Sequence, residues 1–270
     1  MPVIVNKQPQ LEKTNEYRLS IQADLNGFSF LISDDLHQQL YYLYQSDFNW
    51  ERVHYDIFFR HTGNLLSSLP LLSKHYSKVT LLYDTFKYAL IPKHLYKAGE
   101  ELGQLGKLHK LDDLEEIDVV EIPGKDIVVL FAVNSTFINL LKTKQPSFSI
   151  FPSIYTPLLS LPTLYDYNKV YFNYSKGQLH LIIYEGVSLI YCNSFPATYF
   201  NTALYFLFLA LKQTQFNPEQ TTVFVSGNIP DTDILQLSKY FSKIKYFRNP
   251  AVPLGSAENE MRYSSLTFDL

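Results

Sequence analysis

Residues 169–249 run through seven alternating elements in the order strand, strand, strand, helix, strand, helix, strand, and residues 17–69 repeat the opening of that order. A repeat of this length constrains the fold more than any single motif, because both copies must solve the same burial problem with the same layers. Three meandering strands followed by strands that return through helices predict mixed sheets flanked by helices, joined by right-handed crossovers. The expectation is an α/β protein of two related lobes facing one another across a cleft. Residues 1–160 are assigned to the first lobe, with a small inserted subdomain at about 70–150, and residues 161–270 to the second lobe with a C-terminal tail.

The second copy is the clearer. In residues 169–175 (KVYFNYS), Val170, Phe172 and Tyr174 alternate with Tyr171, Asn173 and Ser175, the period-two pattern of a strand. Lys176-Gly177 turns the chain into residues 178–184, and Glu185-Gly186 turns it again into residues 187–193. Pro196 is read as the break before a helix over about 197–213, whose apolar run ALYFLFLAL predicts burial between layers. Residues 221–226 (TTVFVS) form a short β-branched run of the buried parallel type. Asp231 is expected to cap a helix to about residue 241, and residues 243–247 form the last strand.

In the first copy, strands over 17–24 and 28–33 flank an Asn26-Gly27 turn, the strongest short hairpin signal. Residues 39–47 supply the third strand. Residues 49–69 read as largely helical, with Trp50, Val53, Ile57 and Phe58 at helical spacing. From there the pattern departs from the simple repeat. Residues 78–92 hold two extended pieces, and the polar stretch 97–116 is a connector or an inserted helical piece. A hairpin around Pro123-Gly124 joins 117–122 to 126–133, a helix opens at an Asn134-Ser135 cap, and a strand over 148–151 leads into a proline-rich bridge, 152–162.

The chain's 270 residues, 46% of them apolar, are enough for two modest cores and rule out general disorder. A formal net charge of −3 without a long basic run lacks the electrostatic footprint of a nucleic-acid partner. Cys192 is the sole cysteine, which excludes an internal disulfide and fits a reducing compartment; its place in a strand reads as a small core residue. The first 18 residues lack the pattern of an export signal, and the longest apolar run is about half of the ~18–20 residues that cross a bilayer. The expected location is therefore the cytoplasm. Tyr (21) and Phe (20) supply most of the aromatic content, enough for both a core and a sticky partner face.

With both lobes laid out, the chain resembles the actin-like ATPase superfamily, built on a duplicated ribonuclease H-like fold. It most resembles an uncharacterised bacterial family of unknown function assigned to that fold. Residues 121–159 are also similar to the inserted subdomain of cytoplasmic actin-like proteins of pilus assembly and type II secretion. The resemblance implies an Asp-x-Gly-(Ser/Thr) pattern on the first hairpin of each lobe, where glycine admits phosphates to the backbone N–H groups and the carboxylate holds hydrated magnesium. In the first lobe this falls on Asp24-Leu25-Asn26-Gly27, making Asp24 the metal-directing residue, though Asn26 stands where glycine is expected. In the second it falls on Asn173 through Gly177, with neutral Asn173 at the carboxylate position and Ser175, Lys176 and Gly177 toward phosphate. Ser226-Gly227 matches the strand end that abuts the adenosine. Each also has an ordinary reading: turn chemistry for Asp24, a solvated hairpin tip for Lys176, a strand-to-helix turn for Gly227.

No catalytic residue is assigned. Losing one of two magnesium-directed carboxylates removes charge where phosphoryl transfer needs it. The convergent carboxylates of a nuclease are also missing, since Asp34, Asp35 and Asp47 sit at strand ends. The seven histidines (37, 54, 61, 75, 94, 109 and 180) form no metal motif, and His54 and His61 share a helix face at most. The resemblance then implies a degenerate actin-like scaffold that binds a protein partner, by its inserted region or its cleft, with no required cofactor. The alternatives are an ATP-dependent kinase or ATPase with divergent loops, and a nucleotide-gated binder; both take Mg-ATP. In the tail, Tyr263, Leu266 and Phe268 are expected to dock on the protein or on a partner, or to form a plain ordered end.

Overall fold

The computed structural model describes residues 2–5, 9–24, 27–34, 39–47, 55–175 and 177–268. Asn26, Asp35, His37, Trp50, Val53, His54 and Lys176 lie outside the described residues. The chain divides into two compact units, Met1–Ser153 and Ile154–Asp269. The first carries β1 (Pro2–Val5), β2 (Tyr17–Asp24), β3 (Gly27–Asp34), β4 (Gln39–Asp47), α1 (Tyr55–Ser68), β5 (Lys78–Tyr83), β6 (Tyr88–Pro92), α2 (Glu101–Leu105), β7 (Glu115–Glu121), β8 (Ile127–Asn134), α3 (Ser135–Lys142) and β9 (Ser149–Pro152). The second carries α4 (Tyr155–Ser160), β10 (Asn168–Ser175), β11 (Gly177–Glu185), β12 (Ser188–Ala197), α5 (Phe200–Thr214), β13 (Thr222–Gly227), α6 (Asp231–Leu237), β14 (Lys243–Tyr246) and α7 (Ala257–Tyr263).

The second unit's sheet has the order β12-β11-β10-β13-β14, antiparallel through the meander and parallel from β10 onward. The first unit's main sheet runs β1-β4-β3-β2-β5-β9 with the same senses. β4-β3-β2-β5-β9 therefore repeats β12-β11-β10-β13-β14. Between β5 and β9 the chain inserts a three-stranded sheet, β6-β8-β7, so the two extended pieces of 78–92 belong to different sheets. The insertion is pinned by Lys87, whose Nζ lies 2.6 Å from Glu115 and 3.0 Å from Asp112. Burial alone would lower the Lys87 ammonium, but these two hydrogen-bonded carboxylates hold it above its usual range. The Asn134 cap is realised: its Oδ1 accepts the Phe137 N–H at 3.0 Å and opens α3.

Strand alternation sorts the side chains. Val170, Phe172, Tyr174, Leu179, Leu181 and Ile183 face α5 and α6 and form one core with Leu207, Leu211, Val223, Val225, Leu237 and Phe241. Tyr184 lies on the opposite face, where its hydroxyl donates to the Leu158 carbonyl of α4 at 3.0 Å, and burial pushes its phenol pKa up. β13 is buried along its whole length, as an internal parallel strand should be.

Four expectations are corrected. α5 is not enclosed between layers: Ala203, Leu204, Leu207 and Leu211 are buried, while Tyr205 is 62% exposed, because only one stripe of a surface helix meets the sheet. Pro196 does not break a strand; it lies within β12 opposite Gln178, tolerated because β12 is an edge strand that needs no ladder N–H there. The proline-rich bridge holds α4, whose Pro157 sits in the first turn, where a missing N–H leaves no intrahelical bond unmade. Asp231 is the first residue of α6 rather than its cap, a position taken by extended Pro230.

Candidate functional site

The repeat can be aligned residue by residue from its backbone. Asp84 N–H donates to the Ala23 carbonyl at 2.9 Å, and Asn228 N–H donates to the Tyr174 carbonyl at 2.9 Å. One residue beyond each acceptor, the hairpins close on the pairs Asp24↔Gly27 and Ser175↔Gln178. Five residues past the closing pair, β4 and β12 each carry a bulge at the same place, after Ile32 and after Ile183. The counterpart of Asp24 is thus Ser175, and that of Asn173 is Gln22. Setting Asp24 against Asn173 shifts the repeat by two residues, a shift that keeps the side chain on the same face and is hidden from the sequence. Gly27 likewise proves to be the first paired residue of β3 rather than part of the turn.

The structure brings Asn173, Ser226 and Gly227 together at the ends of β10 and β13, with Asn173 paired to Ser226. Asn173 Nδ2 donates to the Tyr171 hydroxyl at 2.9 Å and lies 3.5 Å from Ser226 Oγ. Ser226 is buried, and its hydroxyl donates to the Met261 carbonyl of α7 at 3.1 Å. Gly227 has φ +100°, and a Cβ there would stand 2.3 Å from the Tyr174 carbonyl oxygen. Its lack of a side chain serves this close approach of two strands. Ser175 and Gly177 lie further along, at the hairpin; Gly177 has φ +101°, the left-handed region that a two-residue turn requires.

The tail completes the cluster. Phe247 meets Tyr171 edge-on at 5.0 Å and stacks on Phe268 at 5.4 Å. Asn249 ties the tail down: its N–H donates to Ser264 Oγ and its Nδ2 to the Thr267 carbonyl, both at 2.9 Å, while its Oδ1 accepts the Ala251 N–H at 3.1 Å. Tyr263 and Leu266 are buried. The tail therefore docks on its own unit, and its aromatic spacing was the one signal of this in the sequence.

A phosphate would need free N–H groups and a hydrated magnesium would need carboxylate oxygens. In the second unit, the Asn173 amide, the Ser226 hydroxyl and the space at Gly227 are used by Tyr171, Met261 and Tyr174. In the first unit Asp24 ends β2 at the hairpin's closing pair. Among the described residues no group of three or more His, Cys, Asp and Glu side chains is placed to hold a metal ion.

Sequence reasoning missed His180. It is buried in β11, with Gln178 Nε2 donating to its Nε2 at 2.8 Å, so that Nδ1 carries the hydrogen and donates to Ser194 Oγ. Cys192, expected in a core, is half-buried on the edge strand β12.

Comparison with known proteins places the architecture. A family model described as "Protein of unknown function (DUF3822)" matches residues 6–244. No curated protein matches the chain. A solved structure from Bacteroides thetaiotaomicron, described as having an actin-like ATPase fold and unknown function, is 19% identical with a TM-score of 0.82, over 97% of this chain and 100% of that one. A PilM–PilN type IV pilus biogenesis complex matches at 8% identity and TM-score 0.53, over 93% and 96%. The cytoplasmic domain of EpsL, from the type II secretion system of Vibrio cholerae, matches at 10% identity and TM-score 0.46, over 91% and 92%. The fold is that of the actin-like ATPases. Among the described residues no helix is long and apolar enough to cross a membrane.

Proposed function

The chain belongs to the DUF3822 family, and we propose that it is a cytoplasmic scaffold that holds a protein partner on an actin-like ATPase fold and does not hydrolyse ATP efficiently. One observation carries this reading: the polar groups at the ends of β10 and β13 are spent inside the protein, Asn173 on Tyr171 and Ser226 on Met261. A nucleotide site keeps such groups for its ligand. Exposed Phe86, Leu95, Leu102, Leu108 and Leu114 in the insertion support a binding role, since apolar side chains there contribute nothing to a core. The pilus neighbour, described as a complex of PilM with PilN, is a case in which this fold is seen with another protein.

The test is nucleotide chemistry. The purified chain with Mg-ATP is expected to show no turnover above background and no rise in melting temperature at millimolar nucleotide. Steady turnover at ordinary enzyme rates, lost in Asp24→Asn, overturns the reading in favour of an ATPase or kinase. A nucleotide-induced rise in melting temperature without turnover overturns it in favour of a nucleotide-gated binder.

A further inference from the structure

The edge of a sheet is a template for pairing with another chain, and folded proteins guard it with short length, charge, proline, a bulge or a covering segment. The third strands of the two repeated sheets are guarded differently. β12, the end strand of its sheet among the described residues, carries both Pro196 and a bulge at Ile190. Its counterpart β4 (QLYYLYQSD) has the bulge, at Tyr41, but no proline and no charged side chain before Asp47. A run of leucine and tyrosine without charge or proline pairs readily with further strands. This less guarded strand is the one that β1 covers.

The cover is slight. β1 pairs antiparallel with β4 through Pro2↔Tyr44, Ile4↔Leu43 and Val5↔Tyr42, with a register slip between Pro2 and Ile4. It is four residues long, and Pro2 has no N–H to offer the ladder. A short edge strand held by so few backbone bonds belongs to the low-stability end of a fold, where opening is local.

β4 is held without it. The strand is paired to β3 from Gln39 to Asp47, and Phe30 of β3 stacks on Tyr42 at 5.8 Å and on Tyr44 at 5.1 Å. Among the described residues, the second unit completes the same order of five strands with nothing in the place of β1. The repeated plan therefore closes at β4, and β1 is an addition to it.

We propose that β1 is a detachable cover, an autoinhibitory contact that keeps the outer edge of β4 from pairing with β4 of a second copy. Symmetry and charge select this occupant. An antiparallel self-pair centred on Leu43 is two-fold symmetric, the commonest arrangement of identical subunits. It sets Tyr42 of each copy against Tyr44 of the other, an aromatic cross-strand pair. It opposes no like charges, because residues 39–46 carry none and Asp47 falls opposite Gln39. With β1 docked, the edge turned outward is a four-residue strand that begins with proline, a poor template.

The test is sedimentation at rising protein concentration. It compares the full chain with a variant lacking residues 1–8 and with Ile4→Pro, which takes a backbone N–H from β1 and leaves the chain whole. The full chain is expected to stay a monomer, and both variants to pass to a dimer at micromolar protein. Excess acetylated peptide with the sequence of residues 2–7, PVIVNK, should return the dimer to monomer and shift the amide resonances of Tyr42, Leu43 and Tyr44. Variants that remain monomeric, a dimer that the peptide leaves intact, or a full chain that dimerises as readily as the variants overturns the proposal. Loss of cooperative melting in both variants overturns it as well, because β1 would then be part of the fold and not its cover.

Discussion

The two sheets share their backbone plan to the residue and differ in what that plan is used for. Hairpin closure, the amide-to-carbonyl bond where the fourth strand leaves the first, and the bulge on the third strand all coincide. At the end of the fourth strand they part. The first unit has Tyr83, whose hydroxyl accepts the Asn134 N–H at 3.2 Å, and the second has Gly227 pressed on the Tyr174 carbonyl. Among the described residues, the first unit adds a strand, β1, beyond β4 and inserts a sheet before its fifth strand, and the second unit's sheet has five strands. A duplicated frame therefore fixes where loops and edges fall, while the side chains placed there decide whether a position binds, packs or stays open.

The largest effect should come from Gly227→Ala. A Cβ at φ +100° and 2.3 Å from a backbone oxygen forces the strands apart, with an expected loss of about 4 kcal/mol in urea unfolding. Tyr83→Ala at the counterpart position should cost less, because it removes a hydroxyl bond and the ring contact with Phe137 without moving backbone. Equal losses at the two positions would break the comparison.

A middle-sized effect should separate the faces of α5. Leu207→Ala empties a fully buried site and should cost about 3 kcal/mol, whereas Tyr205→Ala should stay within about 0.5 kcal/mol. A large loss at Tyr205 would mean that its ring packs within the chain and that both faces of α5 are enclosed.

The smallest effect is a pH dependence. Burial would raise the Asp166 carboxyl, but hydrogen bonds from Lys245 at 2.7 Å and Thr222 at 2.8 Å prevail and hold it below its usual range. A carboxyl depressed by folding lends stability above its unfolded value of about 3.9 and loses it as pH falls through the folded one. Lys245 is half exposed, so Asp166→Asn should cost under about 1 kcal/mol at neutral pH. The gap between wild type and variant should close on acidification, and a gap that widens in acid would reverse the sign of the effect.

Period-two alternation told which residues of β10 face α5 and α6, since a strand's two faces are written into consecutive residues. The Asn134 cap and the turn at Gly177 were also legible, being bonds or dihedrals within a few residues. Pro196 and α5 were misread because their surroundings, an open edge and a one-sided layer, are set by distant chain. The candidate site was legible only as a set of positions: Asn173, Ser226 and Gly227 do meet, but Tyr171 and Met261 as their partners carried no sequence signal.

The order of elements, the repeat, and the absence of basic runs and metal motifs came from the amino-acid sequence, through short-range periodicity and composition. Tertiary structure decided that Ser175 and not Asn173 answers to Asp24, that the tail takes the Ser226 hydroxyl, and that β12 is the end strand of its sheet among the described residues. Each of these depends on which far-apart segments pair and in what register, and a two-residue slip leaves the alternation of side chains unchanged.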